Sequence, residues 1–273
     1  MPDTKCLEDI GCYSPLMPRL TNPAEIRSIL EIDRPWAAYA LGDLAPGFSE
    51  VSEWYRSATS DAALMLLYRA FEIPVLFTLG QAEVVDGLLE EIRAERKMYL
   101  SLRPEILPLI KKRYRVEQEA FMWRMVVTPE SFRPAPRDGV ERLSLADLPA
   151  LRELYADGRD TGEVPDFFSP DMMENGVFYG VREGAAFAGA AGTHLVAESE
   201  SVGAVGNVYT RRDRRGRGLA ARVTSAVTQE LLGMPLRTVA LNVNQNNAAA
   251  VRVYEKLGYR RYCPFYEGLA IKD

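Results

Sequence analysis

A run of arginines and glycines near position 215 separates a strand-like segment from a helix-like one. The chain reads NVYT, then RRDRRGRG, then LAARVTSAVTQELL over residues 207–232. A helix start leaves about four backbone N–H groups unpaired and carries roughly half a positive charge. Gly216 and Gly218 permit positive φ and close approach of the backbone. We therefore expect a pyrophosphate to bind on these amides, with five flanking arginines holding it.

Three other interpretations of this turn compete with a phosphate site. A solvated arginine-rich loop stays open. A dinucleotide-binding fold is disfavoured although Gly216-x-Gly218-x-x-Ala221 fits its glycine pattern, because its glycines follow the strand directly and the strand RTVALNV ends without the acidic residue that holds a ribose. An RNA contact is disfavoured because no aromatic platform accompanies the arginines and the net charge is −5.

Two motifs resemble the GNAT superfamily of acyl-coenzyme A-dependent N-acyltransferases. Residues Arg215 to Ala220 match its Q/R-x-x-G-x-G/A pyrophosphate motif. A second segment, Asn247-x-x-Ala250-x-x-x-Tyr254-x-x-x-Gly258-Tyr259, is similar to its N-x-x-A-x-x-x-Y-x-x-x-G-F/Y pattern. The resemblance covers residues 138–273.

The resemblance implies that acetyl-coenzyme A, or coenzyme A with another acyl group, is the acyl-donor substrate. Its pantetheine arm would pair with the strand before the glycine turn, and a nearby backbone N–H would stabilise the oxyanion. The implied cofactor-binding residues are Val208, Tyr209, Thr210, Arg215, Gly216, Arg217, Gly218, Leu219, Ala220, Asn247 and Ala250. Asn247 could also simply cap its helix.

The resemblance places a general acid at Tyr254, which is protonated at neutral pH and can protonate the leaving thiolate. A core tyrosine on an amphipathic helix is the other interpretation. The general base is less defined, because Asn207 stands where many relatives carry an acidic residue. His194 is the single histidine and is the candidate base, directly or through water, although it could be a buried structural residue.

The elements that must position these residues follow a β-α-α-β-β-β-α-β-α-β order in the second half. This pattern predicts an α/β (α+β) fold with a mixed, mostly antiparallel central sheet flanked by helices. The segment PESFRPAPRDG at 129–139 reads as a linker between an N-terminal unit, 1–130, and a C-terminal unit, 138–273. The first unit lacks a glycine-rich turn. It resembles the degenerate GNAT-like half of tandem glycine N-acyltransferase-like proteins, and we expect it to support the fold or shape the acceptor site.

Composition excludes several classes of protein. The chain has 273 residues, 47% of them hydrophobic and 26% charged, which excludes disorder throughout. Cys6, Cys12 and Cys263 are too few and scattered for a disulfide framework or a metal site. No stretch reads as a signal peptide or membrane span, so we expect a cytoplasmic protein without membrane or nucleic-acid partners.

The sequence as a whole predicts an N-acyltransferase that moves an acetyl or other acyl group to a primary amine by direct attack in a ternary complex. Cys263 has no visible base or helix start to activate it as an acyl carrier. The alternative is a catalytically silent coenzyme A-binding regulatory module. The acceptor is a small-molecule amine or amino acid, with peptide N-termini and antibiotics also open, and the oligomeric state is not predicted.

Overall fold

The computed structural model describes residues 19–57, 62–92, 95–162, 165 and 168–272. Within these residues the strands are Arg19–Leu20 (β1), Ser52–Arg56 (β2), Leu64–Tyr68 (β3), Val75–Leu79 (β4), Lys97–Leu102 (β5), Arg115–Val127 (β6), Val140–Arg142 (β7), Tyr179–Glu183 (β8), Ala186–Ala197 (β9), Val202–Thr210 (β10), Thr238–Asn244 (β11) and Arg260–Ile271 (β12). The α-helices are Pro23–Leu30 (α1), Ala38–Gly42 (α2), Ala82–Leu88 (α3), Leu107–Lys111 (α4), Leu148–Ala156 (α5), Pro170–Glu174 (α6), Leu219–Leu232 (α7) and Ala248–Lys256 (α8). Cys6 and Cys12 lie outside the described residues.

The strands form one sheet in the order β1-β2-β3-β4-β5-β12-β6-β11-β10-β9-β8-β7. Only the pairs β4–β5 and β10–β11 are parallel among the described strands, and the others are antiparallel. Each parallel pair is connected through a helix, as a parallel connection requires. The expected mixed, mostly antiparallel sheet flanked by helices is confirmed.

The last strand of each half lies within the sheet of the other half. Strand β6 comes from the first half, but it pairs with β11 over Met122–Val127. Strand β12 ends the second half, but it pairs with β5 over residues 97–102. β6 and β12 also pair with each other, which makes the sheet continuous. The division at 130–138 stays a prediction about sequence units. The structure adds that these units share backbone hydrogen bonds.

Both faces of the sheet are covered. On one face α7 and α8 pack on a cluster that includes Met125, Leu241 and Val243. On the other face α1 and α2 pack on a cluster that includes Val202 and Phe265 of the second half. A Cβ on Gly42 of α2 would come 3.0 Å from the Leu195 side chain of β9. The first half therefore lies directly over the strands that carry the candidate site.

Local sequence signals explain the helices that border this site. The buried residues Val223, Ala226, Val227 and Leu231 give α7 one apolar stripe, and Gly233 ends it. Asn247 caps α8 through a 3.0 Å hydrogen bond from the Ala250 amide to its side-chain oxygen. In the part of the chain that the structure describes, no helix is both long and apolar enough to cross a membrane.

Candidate active site

A wedge opens between β10 and β11. The two strands pair in parallel only from Val202 to Val205 and from Thr238 to Leu241. Beyond this point β11 continues along β6 to Asn244, while β10 continues along β9 to Thr210. Asn207 lies in the separated part of β10 with φ +53°, within the irregularity of the β9–β10 register between Gly206 and Tyr209. This bulge turns β10 away from β11, so that part of its backbone faces the wedge.

Asn207 holds the bulge rather than offering an acidic group. Its Nδ2 donates to the Thr193 carbonyl at 3.2 Å, and its own carbonyl accepts from the Tyr155 hydroxyl at 2.8 Å. The buried Oδ1 of Asn207 has no hydrogen-bond partner among the described residues. These contacts fix a left-handed conformation that asparagine tolerates better than most residues.

The side chains of the separated β10 residues alternate between the two faces. Val208 packs against the cluster under α7 and α8. Tyr209 points to the opposite face, where its hydroxyl donates to Asp157 Oδ2 at 2.9 Å, and burial raises its pKa to about 12. Thr210 has a buried Oγ1 without a partner among the described residues. The main chain of these residues, rather than the Tyr209 side chain, is left to contact a ligand in the wedge.

The glycine turn lies open at the end of the wedge. Gly216 and Gly218 have φ of +79° and +75°, and an added Cβ at either would meet no described atom within 4 Å. Gly218 is the N-cap of α7, followed by buried Leu219 and half-buried Ala220. The Arg222 amide bonds to the Gly218 carbonyl at 3.2 Å, so the amides of residues 219–221 precede the first helical bond. Small residues, open space and a helix start are what a pyrophosphate requires.

Most arginines of this turn already contact carboxylates. Arg211 bonds to Asp213 at 2.7 Å, and Arg212 bonds to Asp160 at 3.1 Å. Arg214 and Arg217 both contact Glu183 of β8. The distance from Arg217 Nη1 to Glu183 Oε1 is 3.2 Å. These guanidinium groups lower the pKa of Glu183, with the hydrogen bond from Arg214 as the largest cause.

The Arg215 side chain contacts β10 directly. Its Nε is 3.4 Å from the Thr210 carbonyl, and its guanidinium is 5.9 Å from the centre of the Tyr209 ring. The turn thus keeps its arginines in place through local acids, a feature that the run of like charges in the sequence did not indicate.

Tyr254 borders the α8 side of the wedge. It is buried in the cluster that contains Leu241 and Val243 of β11, and its ring centre is 6.1 Å from that of Tyr259. Burial raises the pKa of Tyr254 to about 12. Its hydroxyl therefore stays protonated at neutral pH and can only donate a proton.

His194 lies near the same wedge but beneath α2. Its Nδ1 is 3.0 Å from the Tyr39 hydroxyl. Its ring rests on Gly206, where an added Cβ would lie 2.3 Å from the imidazole. Burial, together with the Arg124 guanidinium, lowers the pKa of His194 to about 4, so the ring is neutral at physiological pH. The structure therefore places the proposed acid and the proposed base at the wedge from different elements, one on β9 and one on α8.

Sequence reasoning missed Tyr39 and Arg124, which the first half contributes. The Arg124 guanidinium lies 4.5 Å from the centre of the Tyr39 ring. One signal was available, because Arg124 interrupts the apolar strand EAFMWRMVV, where an ionised side chain needs a reason. No sequence signal connects Tyr39 with His194, 155 positions later.

Three comparisons place this chain among known proteins. Residues 179–266 match the family model of FR47-like proteins. A mycothiol acetyltransferase of Nocardiopsis dassonvillei is 30% identical over 161 residues, which are 58% of this chain and 44% of that protein. The match thus spans less than half the length of this relative.

Solved structures of other proteins are similar in fold to nearly the whole of this chain. A GNAT-family protein from Novosphingobium aromaticivorans has a TM-score of 0.61 and 22% identity, covering 88% of this chain and all of its own. The chain has the GNAT fold. A tandem GNAT protein from the clavulanic acid biosynthesis pathway covers 93% of this chain and 97% of its own, with a TM-score of 0.56 and 14% identity.

The GNAT resemblance that the two motifs indicated is confirmed. The family-model match begins at β8 and ends within β12, so it includes β10, the glycine turn, α7 and α8. The roles of the individual residues stay predictions, because these similarities concern the fold and the chain rather than bound ligands.

Proposed function

We propose that this chain is an N-acetyltransferase that moves an acetyl group from acetyl-coenzyme A to the primary amine of a small molecule, by direct attack in a ternary complex. The observation that carries this proposal is the wedge between β10 and β11, which ends at an open glycine turn on the start of α7. The names of the relatives support the reaction class. Because the match spans 44% of the mycothiol acetyltransferase, its own acceptor is not carried over.

The residues at the wedge fit the acyl donor in both charge and space. The diphosphate would accept hydrogen bonds from the backbone amides between Gly216 and Ala220, where no side chain intervenes. Arg215 and Arg217 lie beside these amides. The main chain of Val208 and Thr210 would pair with the pantetheine amides, and Asn247 and Ala250 at the start of α8 would border that arm. When bound, the donor supplies an activated thioester carbonyl.

Proton movement can be assigned to two side chains. Transfer forms a bond between the amine nitrogen and the carbonyl carbon and breaks the carbon–sulfur bond. The nitrogen loses one proton and the sulfur gains one. Tyr254 is the proposed donor to sulfur. Burial raises its pKa, and burial of the sulfur would raise the pKa of the thiol as well, so the transfer stays uphill by roughly 2 kcal/mol, the difference between the ordinary pKa values of a phenol and a thiol.

His194 is the proposed acceptor of the amine proton, directly or through water. Its lowered pKa makes it a weak base, so it is suited to take the proton after the amine has attacked, when the nitrogen has become acidic. A main-chain N–H of the separated part of β10, next to the bulge at Asn207, is the proposed stabiliser of the negative charge on the carbonyl oxygen.

Calorimetry with coenzyme A tests the donor site. Gly218→Asp keeps a residue that tolerates positive φ but sets a carboxylate beside the phosphates. We expect the affinity for coenzyme A to fall about 100-fold, because the added carboxylate repels the phosphates at a helix start that otherwise favours negative charge. Gly47→Asp is the matched control, because Gly47 has φ +87° and equally open surroundings among the described residues. Equal affinity of both variants would refute the site.

Thiol release in a screen of amines tests the reaction. We expect release with acetyl-coenzyme A to depend on an added amine, and a product with the mass of an acetylated amine. Coenzyme A binding without release from any amine would contradict the proposed enzyme and indicate a binding module.

A further inference from the structure

Arg124 is a buried cation whose guanidinium is incompletely paired. The residue is 1% exposed, and among the described residues its Nε and Nη1 have no hydrogen-bond partner. Its guanidinium carbon lies 5.4, 4.5 and 5.4 Å from the ring centres of Trp36, Tyr39 and Phe265. Aromatic faces stabilise a cation but leave its N–H donors unsatisfied.

Carboxylates act on Arg124 only from a distance. Burial lowers its pKa, while the charges of Glu267 and Asp33 raise it. Asp33 is itself engaged, since Arg103 bonds to its Oδ2 at 3.2 Å and the Tyr262 hydroxyl to its Oδ1 at 2.6 Å. The donors of Arg124 thus remain available to an incoming acceptor group.

Arg124 and Asn242 share one face of the sheet. They are directly opposite in the β6–β11 ladder. Their chain neighbours Trp123, Met125, Leu241 and Val243 all pack toward α7 and α8. Side chains alternate along a strand, so Arg124 and Asn242 point to the other face, about 5 Å apart at Cβ. Asn242 Oδ1 is also buried without a partner in the described part of the chain.

These two residues stand at one margin of the wedge, and His194 stands at the other. Asn242 is the first residue of β11 beyond its pairing with β10. Gly206, on which His194 rests, is the first residue of β10 beyond the same pairing. Tyr39 connects the two margins, because its hydroxyl is 3.0 Å from His194 and its ring lies under Arg124.

We infer that the acceptor is an amine that also carries a carboxylate, as in a free amino acid, and that Arg124 binds this carboxylate. A carboxylate supplies the two planar acceptor oxygens that an arginine fork binds best. The amine supplies the donor that Asn242 Oδ1 lacks, and from there it would face His194 across the wedge. A simple alkylamine would leave the donors of Arg124 unsatisfied.

This inference rests on the proposed function and also defines the role of the first half. Tyr39 and Arg124 both come from residues 1–130, so the first half would select the acceptor while the second half binds the donor. Arg124 is here a binding residue and takes no part in proton transfer.

The test compares amines that differ only in their carboxylate. The probes are the common free amino acids and their amides, such as glycine and glycinamide, given to the full chain with acetyl-coenzyme A. We expect kcat/KM for the best carboxylate to exceed that of its amide by at least about tenfold, the value of one charged hydrogen bond. In Arg124→Gln this preference should disappear, and in Arg124→Lys part of it should return.

Arg261→Gln is the matched control variant. Arg261 also lies over a tryptophan, 5.3 Å from the Trp123 ring, but on the face of α7 and α8, and it pairs with Glu255. It should keep the full preference. Coenzyme A affinity by calorimetry shows that each variant is folded.

A binding measurement keeps the inference testable without turnover. Trp36 lies beside Arg124, so tryptophan fluorescence of the coenzyme A-loaded protein should change with the carboxylate and not with the amide. Equal use of carboxylates and amides would overturn the inference and leave the proposed function intact. Absence of both carboxylate-dependent fluorescence change and carboxylate preference would also overturn it, whereas loss of coenzyme A binding would refute the proposed function first.

Discussion

Each of the two parallel strand pairs of this sheet is connected through a turn and a helix, but the turn is closed in the first half and open in the second. In the first half, Gly80 and Gln81 alone connect β4 to the seven-residue α3. An added Cβ on Gly80 would lie 2.7 Å from Ala63 Cβ, so this turn is closed. In the second half, residues 211–218 connect β10 to the fourteen-residue α7, and the glycines there face open space. Of the two strand–helix–strand units, only the one in the second half therefore has the open turn at a helix start that the proposed phosphate site requires.

The first half instead contributes elements that border the wedge. Its α2 covers β9 and β10, and its strand β6 borders β11. Because β6 and β12 are exchanged between the halves, Arg124 on β6 lies in the same sheet as His194 and Asn242, and Tyr39 contacts His194 from α2. The second half thus carries the open glycine turn, and the first half contributes the side chains of Tyr39 and Arg124.

The largest effect is expected at Tyr254, for which the first half has no counterpart in the proposed chemistry. Tyr254→Phe should lower kcat roughly 100-fold, as loss of a general acid does, while coenzyme A affinity stays unchanged. Tyr259→Phe is the control, since its hydroxyl bonds to Thr228 Oγ1 at 2.7 Å and should matter for stability alone. Steady-state kinetics and calorimetry decide this, and equal kcat of the two variants would remove Tyr254 from the mechanism.

The two glycine turns should separate stability from binding. Gly80→Ala meets Ala63 and adopts φ +120°, so we expect the free energy of unfolding to fall by about 1–3 kcal/mol. Gly218→Ala meets no described atom and should lose about 1 kcal/mol from its positive φ. Urea unfolding measures both. Only the second variant should weaken coenzyme A binding, and weakened binding in Gly80→Ala would contradict the comparison.

Two asparagine caps give a smaller contrast. Asn22 caps α1 and Asn247 caps α8, each through a 3.0 Å hydrogen bond to its side-chain oxygen. Each change to alanine should lower stability by about 1 kcal/mol. If Asn247 also contacts the donor, only Asn247→Ala should raise the dissociation constant for coenzyme A in calorimetry. An unchanged dissociation constant would leave Asn247 as a cap alone.

The smallest effect concerns pH. The pKa of His194 falls from 6.5 to about 4 in the folded chain, so between these values the unfolded chain binds more protons. Stability from this group is complete above pH 6.5 and is lost as the pH falls toward 4. His194→Gln removes the single histidine, so its unfolding free energy should depend less steeply on pH over this window. Parallel slopes in urea unfolding would contradict the buried neutral imidazole.

Much of the second half could be predicted because its signals are local. The helix expected after the glycine turn is α7, which runs from Leu219 to Leu232 between Gly218 and Gly233, and Asn247 caps α8. Strands β8 and β9 are joined at Gly184, which has the positive φ that a tight hairpin turn requires. In the first half the run QAEVVDGLLEEIRAER keeps its helical spacing of apolar residues beyond Leu88, but α3 ends there.

The glycine turn and the Tyr254 helix could be predicted because spacing within one short segment specifies each of them, and the mixed sheet could be predicted from the order of the elements along the chain. The exchange of β6 and β12 between the halves and the contact of Tyr39 with His194 could not be predicted in this way. Strand order and long-range side-chain contacts depend on which surfaces bury each other, and residues 155 positions apart carry no local mark of their meeting. The glycine turn at the end of the wedge could therefore be predicted from the chain, whereas the side that Tyr39 and Arg124 form exists only when the first half packs over the second.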